Sequence, residues 1–360
     1  MKRSLPEKIL SVAIVVSAFV GPLSSMVQAE DGQAYLLTTS NRLELVGFPV
    51  HQPAVDSGIV SSVSGVAIGW SPSFQGTPFG TSLPTGEEYY AEVVGPSTHP
   101  WLGQRFELDE VATRTRSDNG LVVANSPLNT LGMPDQTLAG AELEVRRHLT
   151  IDGLWGESVR NRMLFGGEKA STFSFSINAP ESVGGVRTIY PILDQTGNLS
   201  WSNSDLPILQ TPPTRIISPG TSVGIAFGNR RGSSLGLTGF KRTWPTATPL
   251  QAGVNLLSYP YSSDLRLGID WGTPADGFKG LANPLPTQDR VEIGEGAARR
   301  CYAPELQSNS SLRWRLLDPS YTSKRWATPP SYLDRIPVGQ GFILRKNKSA
   351  SKHFFRPPQP

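Results

Sequence analysis

Glycine and proline interrupt this chain along its whole length, and their density limits the elements that it can form. The sequence contains 36 glycines and 31 prolines in 360 residues, and they are spread over the chain instead of being collected in one linker. Both residues are unfavourable inside helices, because proline removes a backbone donor and glycine is too flexible. We therefore expect no long helix, only single turns such as one around residues 275–281.

The segments between these interruptions alternate apolar and polar residues, which is typical of strands that bury one face. Phe173, Phe175 and Ile177 alternate with polar residues, as do Leu143 and Val145. Two further sets are Ile59, Val63, Val66, Ile68 and Trp70, with a turn at Ser64-Gly65, and Val223, Ile225 and Phe227. Short strands joined by Gly and Pro turns predict an all-β protein of sandwiches or barrels with very little helix.

The amino terminus has the composition of a secretory signal peptide. Three basic residues precede an apolar run over residues 9–20, and the small-residue site Val27-Gln28-Ala29 follows. Signal peptidase recognises this order, and the run is shorter than the roughly 20 residues that span a bilayer as a helix. We expect removal of residues 1–29, export by the general secretory pathway to the periplasm, cell surface or medium, and no transmembrane span afterwards.

Removal of the signal peptide brings the net charge close to zero. The chain has 33 basic and 30 acidic residues, and residues 1–29 contain three of the former and one of the latter. A charge near +1 creates no field that would attract nucleic acid, so no nucleic-acid partner is expected. A basic cluster from Arg345 to Arg356 reaches into a Pro-rich tail at residues 351–360, and both a solvated tail and a surface-charge anchor fit it.

Cys301 is the only cysteine of the sequence, so an internal disulfide cannot form. Stability therefore has to come from packed cores, which about 330 mature residues are sufficient to build. No motif that would activate a thiolate surrounds Cys301, and we expect a small buried side chain there.

Two sequence frames recur along the chain. Residues 43–50 and 254–261 share an apolar-x-Leu-apolar-small-aromatic-Pro pattern. A second frame pairs Tyr190, Trp201 and a turn at residues 217–220 with Tyr302, Trp314 and a turn at residues 336–339. Such self-similarity predicts related structural units.

These frames divide the mature chain into three parts. We predict an N-terminal β-sandwich-like or barrel-like domain at residues 31–150, followed by two related β-modules at residues 155–249 and 250–350. The first boundary is placed at Gly153–Gly167, and the second at a Pro- and Thr-rich stretch, Thr243–Gln251.

Five segments of the chain carry a resemblance to other sequences: residues 45–65, LVGFPVHQPAVDSGIVSSVSG, and residues 87–93, 143–150, 154–156 and 336–345. In these segments the chain resembles an uncharacterised family of bacterial exported proteins that is often present in many copies per genome. Some members of that family end in a Pro-Glu-Pro sorting signal, an apolar segment and arginines. This chain ends in Arg356-Pro-Pro-Gln-Pro360, so the resemblance implies release or non-covalent retention, and it implies no activity.

Residues that could support catalysis do not form a known motif. None of the four histidines, His51, His99, His148 and His353, has a metal-binding spacing, so no metal or other cofactor is predicted. His148 is interpreted as a structural histidine that hydrogen-bonds the loop behind it. Gly232-Ser-Ser-Leu-Gly236 is interpreted as a turn, and no catalytic residue is assigned.

Paired carboxylates are the remaining route to hydrolysis. Glu87-Glu88 and Asp109-Glu110 are adjacent in the sequence, and neighbours on a strand point to opposite faces, which argues against convergence within either pair. Convergence of acids from different strands stays open.

Aromatic residues suggest a binding surface, because sugar rings pack on indole and phenol faces. The candidates are Tyr89, Tyr90, His99 and Trp101 in one cluster and Tyr302, Trp314 and Trp326 in another. The alternative is that these residues belong to the core. Tyr89 and Tyr90 face opposite sides of a strand, so one of them is expected to be buried.

Three functional hypotheses follow. The first is an exported, non-catalytic β-rich protein with a structural, adhesive or binding role in the cell envelope or outside the cell. The second is a carbohydrate-binding module-like protein with a row of exposed aromatics, and the third is a secreted hydrolase with a deep acidic cleft. Expected partners are polysaccharide or envelope proteins, and the sequence makes no prediction of the oligomeric state.

Overall fold

A computed structural model describes most of the chain. The described residues are 25–29, 32–39, 44–72, 83–118, 120–126, 128–129, 132–179, 185–203, 216–227, 233–285, 287–294, 299–318, 325–347 and 353–357. The apolar run predicted as the centre of the signal peptide, residues 9–20, lies outside them. No helix in these ranges combines the length and the apolar content that crossing a membrane requires.

Most of the described elements are strands, which confirms the all-β class. In chain order they begin with β1 (Ser25–Ala29), β2 (Gly32–Thr39), β3 (Glu44–Gly47), β4 (Ala54–Ser64), β5 (Ala67–Pro72), β6 (Tyr89–Gly95), β7 (Arg105–Glu107), β8 (Leu121–Val122), β9 (Glu142–Arg147), β10 (Leu149–Thr150), β11 (Phe173–Asn178), β12 (Val186–Leu193) and β13 (Leu199–Asn203). They continue with β14 (Ile216–Ile217), β15 (Ser222–Phe227), β16 (Ser233–Gly239), β17 (Thr246–Thr248), β18 (Gly253–Ser258), β19 (Leu265–Arg266), β20 (Arg290–Ile293), β21 (Arg300–Leu306), β22 (Leu312–Leu316), β23 (Arg335–Ile336), β24 (Gly341–Lys346) and β25 (His353–Phe355).

Helix is rare, but it is not confined to single turns as the composition predicted. The short pieces are helix α1 (Glu110–Arg114) and 3-10 turns at Gln136–Leu138, Ala170–Thr172 and Pro274–Asp276. A π-helical segment (Asp152–Gly156) continues directly into helix α2 (Glu157–Leu164). This longer helix forms at the predicted boundary because Trp155 and Val159 pack into a core, and packing outweighs the low helix propensity of glycine.

The N-terminal unit is an antiparallel sheet of six strands in the order β7-β6-β9-β4-β5-β8. The hairpin of β4 and β5 turns directly after Ser64, as predicted. Gly65 has a φ of +59° there, a conformation that glycine adopts without strain. Leu143 and Val145 of β9 are fully buried, in agreement with their alternation.

A β-bulge in β4 makes part of the predicted alternation wrong. The register with β5 shifts between Val60 and Ser62, and a bulge changes which face the following residues point to. Val60 and Val63 are therefore both buried. Ile59 and Val66, which regular alternation placed on the buried face, are 54% and 48% exposed.

Two further sheets have five strands each and share one arrangement. The middle sheet has the order β13-β12-β11-β15-β3, and the C-terminal sheet has the order β22-β21-β20-β24-β18. All neighbouring strands in both sheets are antiparallel. β3 lies in the range assigned from the sequence to the N-terminal domain, yet it pairs with β15 of the middle sheet.

The surroundings of these two sheets also correspond. β10 pairs with β14 beside the middle sheet, and β19 pairs with β23 beside the C-terminal sheet. Trp155 follows β10, Trp271 follows β19, and each is buried in the core of its own module. Trp201 and Trp314 each lie opposite a proline in the hairpins β12–β13 and β21–β22. The fold is therefore mostly β and combines a six-stranded sheet with two five-stranded sheets that share one strand order.

A smaller sheet is formed by β1, β2 and β16. The predicted peptidase site, residues 27–29, belongs to β1, which pairs with β2. Residues 233–236, interpreted from the sequence as part of a turn, belong to β16, which pairs with the other edge of β2. That interpretation was wrong, because the Gly- and Ser-rich stretch adds a strand to an existing edge.

Each of the three large sheets contributes to its own apolar core. Leu143 is in the N-terminal core, Phe175 and Trp155 are in the middle core, and Trp271 and Trp314 are in the C-terminal core. Burial of these large side chains supplies the stability that the absence of an internal disulfide requires.

Candidate functional site

The outer face of the N-terminal sheet is covered by residues 240–248, which we call the covering segment. The backbone N–H of Ala247 donates to the carbonyl of Gly103 at 3.0 Å, and Arg105 Nη2 donates to the carbonyl of Ala247 at 3.2 Å. At the other end, Phe240 and His51 exchange two backbone hydrogen bonds. Glu92 and Arg146, whose side chains lie on this outer face beneath the segment, are therefore buried.

A network of ionisable side chains lies beneath the covering segment. Glu92 of β6 is 0% exposed, and its Oε1 accepts a hydrogen bond from Arg242 Nη1 of the covering segment. Arg146 Nε of β9 lies 4.0 Å from Glu92 Oε2, and the same guanidinium pairs with Glu144. Arg242 and Arg146 are 2% and 3% exposed, so both buried cations have carboxylate partners, which buried charges require.

Trp244 of the covering segment contacts both guanidinium groups. The centroid of a Trp244 ring is 5.3 Å from Cζ of Arg146 and 5.1 Å from Cζ of Arg242. A cation close to an indole face is attracted by its electron density. Aromatic contacts therefore add to the ion pairs that hold the covering segment.

A second buried pair lies on the same side of the sheet. His148 Nε2 and Glu107 Oε2 are 2.6 Å apart, and both side chains are buried. The ring of Tyr90 packs 4.6 Å from the ring of His148, and Arg105 Cζ lies 6.0 Å from the Tyr90 centroid. His148 has a structural environment, as interpreted from the sequence, but its partner is a carboxylate of β7 and not the loop behind it.

His51 is kept neutral by its surroundings. Its Nδ1 lies 2.7 Å from Nη1 of Arg146 and 2.9 Å from the carbonyl oxygen of Gln52. Burial, followed by the positive charges of Arg242 and Arg146, lowers the pKa of His51 to about 3, while the backbone carbonyls of Gln52 and Lys241 act in the opposite direction. His51 is therefore uncharged at neutral pH.

A cleft, which we call the junction cleft, opens between the N-terminal sheet and the middle module. Its volume is about 20 Å³, which is room for about one water molecule. Its walls are formed by four parts of the chain. These are the residues after β3, strand β6, the connection from β9 to β10 and the turn after β14. The residues that line it are Phe48, Val50, His51, Gln52, Tyr90, Arg147, Leu149, Ile217, Ser218 and Pro219.

The junction cleft combines apolar walls with a few polar groups. Arg147 is the one charged residue among the described residues that line it, and its Nε lies 3.5 Å from Glu87 Oε2. Tyr90 is 2% exposed. Burial, followed by the negative charge of Glu92, raises the pKa of Tyr90.

The structure does not bring the predicted aromatic residues together as an exposed surface. Tyr89, Tyr90, Trp101, Tyr302 and Trp314 are all buried. Tyr89 and Trp101 belong to the N-terminal core, whereas Tyr302 and Trp314 belong to the C-terminal core. Tyr90 points to the outer face of β6, and it is buried as well because the covering segment lies over that face.

The other two predicted residues, His99 and Trp326, are partly exposed. His99 Nδ1 accepts a hydrogen bond from the backbone N–H of Trp101 at 3.2 Å. The indole N–H of Trp326 donates to the carbonyl of Ala282 at 2.9 Å, and Arg315 Cζ lies 5.4 Å from a Trp326 ring. His99 lies in the N-terminal unit and Trp326 lies in the C-terminal module, so the two residues are on different surfaces.

The acidic residues considered for hydrolysis have local roles. Asp109 accepts a hydrogen bond from the backbone N–H of Ala112 at 2.9 Å and so caps α1. Glu110 pairs with Arg114 at 3.3 Å, and burial raises the pKa of Glu110. No carboxylate is among the described residues that line the junction cleft. Within the described ranges, no three His, Cys, Asp or Glu side chains are grouped as they would be around a metal ion.

The network that joins Glu92, Arg146 and Arg242 was not predicted from the sequence. Glu92 and Arg146 occupy strand positions where alternation predicts exposure, so a charge was compatible with a surface. Arg242 directly precedes a Pro- and Thr-rich stretch interpreted as a boundary, 150 residues from Glu92. That these charged residues are buried and paired becomes clear only when the covering segment is seen to lie over the sheet.

The chain matches no protein-family model, no curated protein and no solved structure. A functional conclusion therefore has to come from the residues described above.

Proposed function

We propose that this protein is an exported, non-catalytic β-rich protein with a structural, adhesive or binding role in the cell envelope or outside the cell. The observation that carries the proposal is the buried pair of Glu92 and Arg242. It uses charged side chains to join distant parts of the fold instead of presenting them to a substrate. A protein whose sheets are joined by buried ion pairs suits a structural, adhesive or binding role.

Contacts of the covering segment with the C-terminal module also support a structural role. β17, at the end of the covering segment, pairs with β25. The hydroxyl of Tyr261 lies 2.9 Å from the carbonyl of Trp244 and 2.7 Å from the carbonyl of Phe355. Burial raises the pKa of Tyr261, so this phenol remains a donor. One short segment therefore contacts the N-terminal sheet and the C-terminal module together.

The export part of the proposal is supported by the basic, apolar and small-residue regions of residues 1–29. Cleavage after Ala29 would remove β1 and leave β2 paired with β16. Amino-terminal sequencing of protein recovered outside the cytoplasm tests this step. We expect a new amino terminus at Glu30, and an uncleaved protein that stays in the cytoplasm would contradict the proposal.

Cell fractionation followed by capture experiments tests the proposed role. We expect the protein in the periplasmic, surface or medium fraction, where it should capture envelope proteins or polysaccharide without shortening polysaccharide chains. Heat-unfolded protein at the same concentration is the control for non-specific capture. Failure to bind any envelope material, or hydrolysis of the polysaccharide, would overturn the proposal.

A carbohydrate-binding role is the second candidate, and one surface of the C-terminal module favours it. Trp326 and Tyr332 are partly exposed and lie on a segment that bridges to the edge of β22. Arg315 Cζ is 5.4 Å from a Trp326 ring, and Arg313 Cζ is 3.8 Å from the Tyr332 ring. Aromatic faces beside hydrogen-bond donors suit sugar rings.

Retention on insoluble polysaccharide tests the second candidate. We expect a double variant, Trp326→Ala with Tyr332→Ala, to lose retention, because both aromatic faces are removed. The matched control is Phe165→Ala, which removes an aromatic side chain that is 84% exposed outside this surface. Equal retention of all three proteins would exclude this surface as the binding site.

We further propose that the two five-stranded modules are copies of one repeat, with the N-terminal sheet inserted into the first copy. Their common strand order and the corresponding positions of Trp155 and Trp271 support this. β3 precedes the N-terminal sheet in the chain, whereas the other strands of the middle sheet follow it. Joining Gln52 to His148 through a short glycine linker should therefore leave a middle module with its near-UV tryptophan signal, and loss of that signal would contradict the insertion.

A further inference from the structure

We infer that the outer face of the C-terminal sheet binds an acidic polysaccharide, whose sugar carboxylates pair with arginines of that face. The inference rests on the second candidate function, because it names the class of carbohydrate that the surface beside β22 would bind. Val291, Tyr302 and Leu344 point into the C-terminal core. Their neighbours in the sequence therefore point away from the core, to the outer face.

Two exposed arginines of this face share one carboxylate. Arg345 Nε contacts Oε1 of Glu292, and Arg299 Nη2 contacts Oε2 of the same side chain. The side chain of Glu292 is 8% exposed, whereas those of Arg299 and Arg345 are 38% and 45% exposed. Within this group, two positive charges face one negative charge, and both cations reach the solvent. Such a group attracts a further anion.

Arg290 adds a third guanidinium at the same place. It lies directly opposite Arg345 in the pairing of β20 with β24, so the two side chains leave the sheet on the same face. Burial raises the pKa of Cys301, and the charges of Arg290, Arg299 and Arg345 act on this thiol in the opposite direction. Three cations are therefore concentrated around one point of the outer face.

A second group of arginines lies on β22, three strands away from Arg345. Arg313 and Arg315 flank the buried Trp314, so both point to the outer face. Arg313 pairs with Asp334 at 3.3 Å, and the two side chains are 46% and 71% exposed. Such exposed pairs contribute little, so Arg313 can exchange Asp334 for a carboxylate of the ligand. Arginine groups separated by three strand spacings, roughly 14 Å, suit a polymer with many carboxylates better than a single small acid.

The aromatic rings beside this second group favour a sugar polymer over an acidic peptide. The Tyr332 ring lies 3.8 Å from Arg313 Cζ, and a Trp326 ring lies 5.4 Å from Arg315 Cζ. Both aromatic side chains are partly exposed. A sugar ring can pack on such a face, while its carboxylate accepts hydrogen bonds from the adjacent guanidinium. A glutamate side chain would supply only the carboxylate.

Binding of the full-length mature protein to three polymers coupled to beads tests this inference. The polymers are polygalacturonate, the same polymer with every carboxylate methyl-esterified, and polyglutamate. We expect the protein to bind polygalacturonate at least about tenfold more tightly than the ester at low salt, because the ester carries no charge. This preference should fall as the salt concentration rises, since salt screens exposed charges. Polyglutamate should bind more weakly than polygalacturonate, because it has no sugar rings.

Three variants test the arginines that share Glu292. Arg299→Gln and Arg345→Gln should each reduce the preference for polygalacturonate over its ester by about threefold or more. Each variant leaves Glu292 the other arginine, so the fold should be kept. Glu292→Gln should tighten polygalacturonate binding by about twofold or more, because it removes the negative charge of the group. The matched control is Arg116→Gln, which breaks a partly exposed pair with Asp118 in the N-terminal unit and should bind like the wild type.

The double variant Trp326→Ala with Tyr332→Ala separates the role of charge from that of the aromatic rings. It should weaken the binding of polygalacturonate and of the ester alike, because both polymers contain sugar rings. Its preference for polygalacturonate over the ester should therefore stay at the wild-type value. A loss of this preference in the double variant would contradict the assignment of the carboxylates to the arginines.

Three further outcomes would overturn the inference. They are wild-type binding to polygalacturonate that is absent or no tighter than binding to the ester, polyglutamate binding as tight as polygalacturonate binding, and Arg299→Gln and Arg345→Gln variants that both bind like the wild type. Equally tight binding to polygalacturonate and the ester would leave the second candidate function standing, since a neutral polysaccharide is then bound. The fractionation result that tests export is independent of all three outcomes.

Discussion

Glu92 and Arg242 are separated by 150 residues in the sequence and form an ion pair whose side chains are 0% and 1% exposed. The pair joins β6 to the covering segment. Because both charges are withdrawn from water, each depends on the other to offset the cost of burial. A change at either residue therefore acts on the attachment of the whole N-terminal sheet.

Replacement of Glu92 by Gln should destabilise the protein by about 3–5 kcal/mol, because Arg242 and Arg146 would remain buried without this carboxylate. The free energy of unfolding in urea measures the effect. A double variant, Glu92→Gln with Arg242→Met, should recover part of the loss, because the second change also removes a buried cation.

The control for this prediction is Glu87→Gln. It removes the partner of Arg147 in a pair whose side chains are 38% and 45% exposed, and it should cost less than about 1 kcal/mol. Equal losses for Glu87→Gln and Glu92→Gln would show that the buried position of Glu92 has no special role.

The stability of the protein should fall as the pH drops below 6.5, because His51 is held neutral in the fold. Its pKa is lowered to about 3, so between pH 6.5 and 3 the unfolded chain binds a proton that the folded chain does not. This contribution is complete above the unfolded pKa and decreases as the pH falls. Between pH 6.5 and 5 the resulting loss in the free energy of unfolding amounts to about 2 kcal/mol.

The variant His51→Asn keeps an acceptor for Arg146 but cannot titrate. Its free energy of unfolding should change less between pH 7 and 5 than that of the wild type. His99→Asn, which changes a partly exposed histidine outside the network, should keep the wild-type slope. An unchanged slope in His51→Asn would mean that His51 is not the source of the pH dependence.

The parts of the fold that depend on residues close together in the sequence could be predicted. Phe173, Phe175 and Ile177 alternate and are buried, and Gly65 marks the turn between β4 and β5. The bulge that exposes Ile59 could not be predicted, because it depends on how β4 pairs with β5. The helix around Trp155 was missed because its stability comes from a core built by later strands.

The candidate site was less predictable, because its parts come from distant segments. The aromatic pattern singled out Tyr90 as a member of an exposed surface. The covering segment buries it, and no local pattern of residues 87–93 indicates a segment that arrives more than 140 residues later. Arg147 is next to Arg146 in sequence, yet alternation places Arg147 on the face of Tyr89 and Arg146 in the buried network beside Tyr90.

The two predicted aromatic residues of the C-terminal module should respond differently to truncation. Trp314 is 1% exposed, and Trp314→Ala should destabilise the protein by about 3–5 kcal/mol, since it leaves a cavity in the core. Trp326 is partly exposed, and Trp326→Ala should cost less than half as much. Urea denaturation followed by near-UV circular dichroism measures both, and the opposite order would contradict the core position of Trp314.

Because Gly103 is in close contact with the covering segment, replacement of this glycine should destabilise the protein. A Cβ at Gly103 would lie 2.2 Å from the carbonyl oxygen of Pro245, and its φ is +79°. Gly86 is a matched control, because its φ is +81° and nothing lies within 4 Å of an added Cβ. Both alanine variants should lose roughly 1–2 kcal/mol from the left-handed conformation.

Only Gly103→Ala should in addition push the covering segment away from the sheet, at a further cost of about 1–3 kcal/mol. Trypsin should then cleave after Lys241 or Arg242 faster than in the wild type, because Arg242 leaves its buried pair with Glu92 when the segment moves. Gly86→Ala should be cleaved there at the wild-type rate. If both variants lose equal stability and are cleaved alike, residues 240–248 do not depend on the close approach at Gly103, and the N-terminal sheet must be held by other contacts.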